Sequence, residues 1–281
     1  MIARAQTLGA IAVRFTRADA DAATRERLAQ SYARGDLATW SYDQEYAATA
    51  CTPERLLSGA RSVICVAVPY ATASPPYLPL SGRVSNYAWS ADYHQRMRVL
   101  LADLASVIEA DAGAGTTAIA CDTAPLAERA FAARAGLGWI GKHTNLINPD
   151  LGSFIFLGEI VTRVDFEEDQ ALKKTCGSCT RCVDACPTGA LRGDYTIDAT
   201  RCIADLTQRT DSIPRDLRAM IGDWIWGCDI CQLVCPPTML ARPPVDRANA
   251  PTDPDLASPS LQRLLRLRSS EFKRTYRRSA M

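Results

Sequence analysis

The chain has 281 residues, 47% of them hydrophobic, and a formal net charge of +1. That length supports one large domain or two ordinary ones with a real core, and the charge balance excludes a polyelectrolyte, so any nucleic-acid contact must come from a local patch. No run approaches the ~20 apolar residues that span a bilayer, and the amino end, MIARAQTLGAIAVRF, lacks a continuous signal-peptide centre; the expectation is a cytoplasmic protein with no membrane contact.

Taken in chain order, residues 1–60 read as mainly helical, with a loop at Gly35 and a turn at Cys51-Thr52-Pro53. The β-branched apolar run 61–70 ends at a proline and a tyrosine and predicts a buried strand. A proline-rich turn at 74–79 leads to a helix over about 91–110. Residues 116–121 predict a second short buried strand, and 125–135 a helix with Pro125 near its first position and Gly136 just past its end. A third apolar run, 154–161, reads as another strand. Alternating strands and helices make residues 1–165 an α/β (α+β) domain.

The texture then changes. Residues 166–240 carry eight cysteines in short turns, the makeup of a small domain organised by metal. Residues 241–281 belong to a proline-rich linker, which spans 236–259, and a basic helical segment over 261–278. In that segment Arg263, Arg266, Arg268, Lys273, Arg274, Arg277 and Arg278 stand against one acid, Glu271. Arginine-rich terminal helices are usually solvated faces, yet a patch this dense would hold phosphates by counterion release.

The strongest signal is Cys176-x2-Cys179-x2-Cys182-x3-Cys186-Pro187. This is the bacterial ferredoxin spacing, in which three thiolates grip one cubane and the fourth reaches the other. Cys228-x2-Cys231-x3-Cys235-Pro236 repeats it without the first member, whose place is taken by Ile225; Cys202 is the nearby cysteine that can substitute. The reading is two [4Fe–4S] clusters, one on Cys176, Cys179, Cys182 and Cys235, the other on Cys186, Cys202, Cys228 and Cys231. Paired zinc ribbons also use CxxC pairs, but they need neither the three-ligand run nor the two Cys-Pro endings. Of the remaining three, Cys65 and Cys121 read as small buried hydrophobes, and Cys51 has no assigned role.

Gly136, Gly138 and Gly141 match GxGxxG, but they follow a helix instead of a strand and Pro149 comes soon after, so a nicotinamide site is rejected; the glycines mark a tight turn or a close approach. Asp122 lies where a strand ends and a helix begins, a place for either a ligand site or a helix cap. The two histidines, His94 and His143, belong to no HExxH or Cys–His arrangement, and His94 reads as structural.

Residues 121–144 (CDTAPLAERAFAARAGLGWIGKHT) and 227–236 (GCDICQLVCP), with the isolated Cys202, closely resemble the tRNA epoxyqueuosine reductases. So do 59–64 (GARSVI), Tyr87-Ala-x4-Tyr93-His94, and Asn148-Pro-x2-Gly-Ser-x2-Phe-Leu-Gly-Glu159. The resemblance implies a cobalamin-binding α/β domain followed by a ferredoxin-like two-cluster domain, related to the reductive dehalogenases. The implied reaction is reduction of epoxyqueuosine to queuosine in tRNA, fed by a low-potential donor such as a flavodoxin or ferredoxin. It further implies Asp122 as the proton donor, and Ser85, Tyr87, Asp122, His143, Asn145, Ile147 and Gly227 as cobalamin contacts. Neither histidine lies in an Asp-x-His-x-x-Gly setting, so the corrin is expected without a histidine lower ligand from that motif. The sequence departs from the family at Ala50, His143, 204–209 and Pro237-Thr238, and it stops at Met281, where family members often continue into helical repeats, as expected of a short form or a truncated chain. The competing readings are a corrinoid reductase of another small substrate and a two-cluster electron carrier.

Overall fold

In the computed structural model, residues 2–38, 42–73, 77–242, 247–251 and 253–280 are described. Part of the proline-rich turn (74–76) and of the linker (243–246 and 252) lies outside the described residues. The chain runs through α1 (Ile2–Thr7), β1 (Ala12–Arg17), α2 (Ala22–Ala33), α3 (Gln44–Ala50), β2 (Ser62–Pro69), β3 (Arg83–Val84) and α4 (Tyr93–Ala112). It continues through β4 (Thr117–Ala120), α5 (Glu128–Arg134), the β5–β6 hairpin (Trp139–Ile140 and Leu146–Ile147) and β7 (Ile155–Thr162).

The central sheet has the order β1-β2-β7-β4, and each pair in it is antiparallel. The expected α/β domain is therefore of the α+β kind. β2 is buried along its whole length because both faces of the sheet are covered. Its even residues, Ile64, Val66 and Val68, pack with Met97, Leu100, Leu101 and Leu104 of α4. Its odd residues, Val63, Cys65 and Ala67, pack with Phe131 and Ala132 of α5. Burial on both faces gives a continuous apolar run instead of alternation, which is why this strand is legible in the sequence. Cys65 and Cys121 are buried in these layers, in keeping with their reading as small hydrophobes.

β1 corrects the helical reading of the first 60 residues. It is an edge strand with only Val13 and Thr16 buried, and its burial recurs every third residue. That period mimics a helix, and what settles the strand is the six-residue register against β2.

Beyond β7, the cysteine-rich segment forms short turns: α6 (Arg181–Asp184), α7 (Ile203–Leu206), α8 (Arg215–Ile221), β8 (Trp224–Trp226), α9 (Ile230–Leu233) and α10 (Pro236–Leu240). β8 pairs in parallel with β3, so the segment is stitched back onto the first 165 residues. The linker is partly helical, with α11 at Pro254–Ala257, and the basic segment divides into α12 (Leu261–Arg266) and α13 (Ser269–Thr275). Among the described residues, no helix is long and apolar enough to cross a membrane.

Candidate active site and cluster ligands

After β4 the chain does not enter a helix at Pro125. Asp122 adopts φ 53, in the left-handed region, and its N–H donates to the Glu128 carboxylate. α5 starts only at Glu128, with Ala127 at its cap and no side-chain cap hydrogen bond, so the capping reading of Asp122 is overturned. Its side chain is instead 57% exposed, with Oδ2 2.9 Å from His94 Nε2. Nδ1 of His94 lies 2.6 Å from Asp92 Oδ1, the same oxygen that accepts the His94 N–H and caps α4. Burial opposes a charge on His94, but its hydrogen bonds to the carboxylates of Asp122 and Asp92 outweigh it and raise the imidazole above its ordinary range. His94, read as structural from sequence, is thus a hydrogen-bond partner of Asp122.

Aromatic rings fix this arrangement. Tyr93 stacks on His94 at 4.1 Å between centroids and on Phe156 at 4.1 Å, with Tyr87 edge-on at 6.2 Å. Asp122 lies within electrostatic reach of both Tyr87 and Tyr93, and burial pushes the Tyr87 phenol up to about 12.

The β3–β8 pairing brings Ser85, Tyr87 and Gly227 together. Gly227 has φ 66, and a Cβ there would lie 2.5 Å from the Ser85 Cβ, so only glycine fits. The Ser85 hydroxyl donates to Asp229, which also accepts the Asn86 N–H at 2.7 Å. Asp229 is buried, and desolvation pushes its carboxyl up to about 6. The Tyr87 hydroxyl accepts from the Trp226 indole at 2.9 Å.

His143, Asn145 and Ile147 lie on the β5–β6 hairpin and its turn. A Cβ on Gly138 would run into the Ile147 carbonyl, so the close approach read from GxGxxG is of the protein's own backbone. The Asn145 N–H donates to His143 Nδ1 at 3.2 Å, and His143 Nε2 is buried without a hydrogen-bond partner among the described residues. Burial lowers His143 to about 4, so the ring is neutral with its proton on Nε2. Arg129 of α5 donates to the Thr144 carbonyl at 2.9 Å, tying the hairpin to the helix that follows Asp122.

All eleven cysteines are free thiols. Those of the cysteine-rich segment influence one another's ionisation in two groups. Cys182 feels Cys176 and Cys235, and Cys235 feels Cys176 and Cys179. Cys228 feels Cys202 and Cys186, and Cys231 feels Cys228 and Cys202 with a weaker contribution from Cys182. Backbone N–H groups aim at the sulfurs: Lys142 at Cys176 (3.4 Å), Asp205 and Ala204 at Cys202, Ile230 at Cys228 and Thr238 at Cys235. Such donors suit thiolates, the form in which cysteine binds iron. Among the described residues, no three His, Cys, Asp or Glu side chains converge on a point where they could hold a single metal ion.

Two functional candidates escape a residue-by-residue reading: His94 and Asp229. Each stands inside a quoted motif, but its partner lies far away in sequence.

Residues 51–123 match the family model "Epoxyqueuosine reductase QueG, DUF1730", and residues 175–238 match the 4Fe-4S double cluster binding domain. The epoxyqueuosine reductase of Bacillus anthracis is 35% identical over 289 residues, covering 98% of this chain and 73% of that relative. A crystal structure of epoxyqueuosine reductase with an epoxyqueuosine-modified tRNA-Tyr stem loop matches with a TM-score of 0.90 and 33% identity, covering 99% of this chain and 75% of that one. The Bacillus subtilis enzyme, solved with its catalytic aspartate loop swung out of the active site, matches with a TM-score of 0.90 and 32% identity over the same shares. The reductive dehalogenase NpRdhA, at 15% identity and a TM-score of 0.50 over 90% of this chain and 34% of that one, is alike in fold alone. On this identity and coverage, the chain belongs to the epoxyqueuosine reductase family.

Proposed function

We propose that this protein reduces epoxyqueuosine to queuosine in tRNA, using two [4Fe–4S] clusters and cobalamin. The observation that carries the reading is the exposed Asp122 carboxyl, 2.9 Å from His94, whose other ring nitrogen is held by Asp92, with Tyr87 and Tyr93 nearby. Removing an epoxide oxygen as water takes two electrons and two protons and leaves an alkene. Asp122 would give a proton to the oxygen as its bond to carbon breaks, and His94 stands behind it to restore that proton. The Bacillus subtilis relative has a catalytic aspartate loop, and Asp122, on its strained turn, is the residue here suited to that role.

Cys176, Cys179, Cys182 and Cys235 would hold one cluster, and Cys186, Cys202, Cys228 and Cys231 the other. The two thiol groupings and their N–H donors fit this assignment, and the Cys-x2-Cys-x2-Cys-x3-Cys-Pro spacing is that of cubane ligands. Ser85, Tyr87, Asp122, His143, Asn145, Ile147 and Gly227 would line the cobalamin site. The buried, unpartnered Nε2–H of His143 fits a polar group on such a cofactor, while the hydroxyl of Ser85 is already engaged by Asp229 and shapes the loop instead. Cobalamin would supply a low-potential cobalt centre, which cubanes alone do not provide. Electrons would come from a low-potential protein such as a flavodoxin or ferredoxin.

The basic segment supports the tRNA substrate. Arg263, Arg266 and Arg274 line an open cleft with Gln262 and Glu271. The end of the segment is strapped to the start of α4, where the Asp92 N–H donates to the Arg278 carbonyl at 2.7 Å, two residues from His94. Anaerobically purified protein is expected to hold about eight irons, given two four-ligand sets, to bind cobalamin, and to retard epoxyqueuosine tRNA in a gel. An electron carrier would bind neither corrin nor tRNA, and a reductase of small molecules would bind corrin alone.

A further inference from the structure

Glu159 stands in the middle of β7, paired across the sheet with Cys65 of β2 and Ala120 of β4. It is completely buried, and no N–H or O–H of the described residues reaches either of its oxygens. The group that meets it is the carboxyl of Glu128, descending from the first turn of α5. Two carboxylates cannot face each other in such a place. A buried charge has to be paired or neutralised, and two acid groups in contact do this by keeping a proton.

The other charged and titratable groups around the pair offer no substitute. Glu128 feels Asp122 and Arg129, and Glu159 feels Glu128 alone. The thiols of Cys65 and Cys121 face the pair from β2 and the end of β4, and the phenols of Tyr46 and Tyr93 feel Glu128 from α3 and α4. Arg134 and Arg98 act on the two thiols, and Arg129 spends a guanidinium N–H on the Thr144 carbonyl. The same Glu128 carboxyl accepts the backbone N–H of Asp122, a non-glycine residue in the left-handed region. That conformation persists only where its surroundings hold it.

We propose that Glu128 and Glu159 share one proton, and that the proton-linked pair is a latch holding the Asp122 loop turned toward His94. Glu128 and Glu159 are thereby positioning residues, and the importance of the latch for turnover rests on the role given to Asp122 above. With a proton between them, Glu128 stays under the loop and keeps the Asp122 N–H. Once that proton is lost in alkaline solution, two adjacent carboxylates repel, Glu128 swings toward solvent, and the loop is released.

The test uses the holoenzyme, Glu159→Gln and Glu128→Gln. An amide in either position donates permanently to the remaining carboxyl, and the amide oxygen of the Glu128→Gln variant would still accept the Asp122 N–H. Infrared spectra of the wild type should show the carbonyl band of a buried protonated carboxyl at neutral pH. That band should fade on raising the pH, together with hydrogen-exchange protection of residues 121–127 corrected for intrinsic rates. Glu159→Gln should lack the band, and both variants should keep the loop protected across the same range. Absence of the band in the wild type would overturn the proposal, as would a variant whose loop loses protection with pH as the wild type does. Should Glu159→Gln fail to fold, Glu128→Gln, nearer the surface, decides alone. Neither readout needs substrate, so failure of the latch is distinguishable from failure of Asp122 as proton donor.

Discussion

At the scale of single residues, the proposed chemistry rests on Asp122. Asp122→Asn preserves shape and the backbone N–H to Glu128, but the side chain loses its acid. A general acid typically contributes ~10²–10⁴-fold, so turnover of epoxyqueuosine tRNA should fall by about that much at unchanged iron and cobalamin content. A loss below about tenfold would assign the proton to water or another side chain. The buried carboxyl pair makes a separate prediction about stability. Desolvation raises both Glu128 and Glu159, so the folded chain holds protons that the unfolded chain releases. Their stabilising contribution is therefore complete below the ordinary carboxylate range and is lost as pH rises through their raised values. Urea midpoints of wild type minus Glu159→Gln should fall with rising pH from the ordinary carboxylate range upward, and a flat difference would mean the pair does not titrate in this way. Asp122 is legible in the sequence because a motif carries it. His94 is not, since its meaning depends on Asp122, 28 residues away, and a lone histidine has no periodicity to reveal it.

Among the elements, what can be read is what local patterning dictates. β2 is a continuous apolar run and β7 one broken by Gly158 and Glu159, and α4 buries Met97, Leu100, Leu101, Leu104 and Ile108 at helical spacing behind an Asp92 cap. The edge strand β1 escapes such a reading because its pairing with β2, not its own pattern, makes it a strand. The start of α5 reads too early because Pro125 is a good first helical residue, whereas Asp122 turns into the left-handed region with its N–H on Glu128 and the helix begins only there. The cysteine turns are legible for a different reason: ligand spacing is dictated by the metal group itself. Cys202, at the start of α7, is the proposed ligand outside both runs, with Ile225 where a complete motif would supply a cysteine. Cys202→Ala should disable the cluster on Cys186, Cys228 and Cys231 and leave the other, so iron should drop to about half of the eight expected for two cubanes. Unchanged iron would remove Cys202 from the ligand set.

Across the whole molecule, the two segments are joined by the β3–β8 pair, which places Ser85 and Tyr87 of the first against Gly227 and Asp229 of the second. Nothing in local sequence announces that two-residue parallel pairing, so the site at the junction is reachable only through resemblance. The basic segment forms two helices, and its end, at Arg278, is tied to α4 two residues from His94. Removal of 261–281 should weaken tRNA binding and flatten its salt dependence, because each phosphate contact adds to the slope. Affinity that stays the same at every salt concentration would leave the segment a packing role only. The central claim is tested most directly by incubating the anaerobically reconstituted protein with cobalamin, a low-potential reductant and epoxyqueuosine stem-loop RNA, followed by nucleoside mass spectrometry. The account predicts loss of one oxygen atom from the modified base, dependent on cobalamin and reductant and largely lost in Asp122→Asn; unaltered epoxyqueuosine in the presence of full cofactor loading would contradict it.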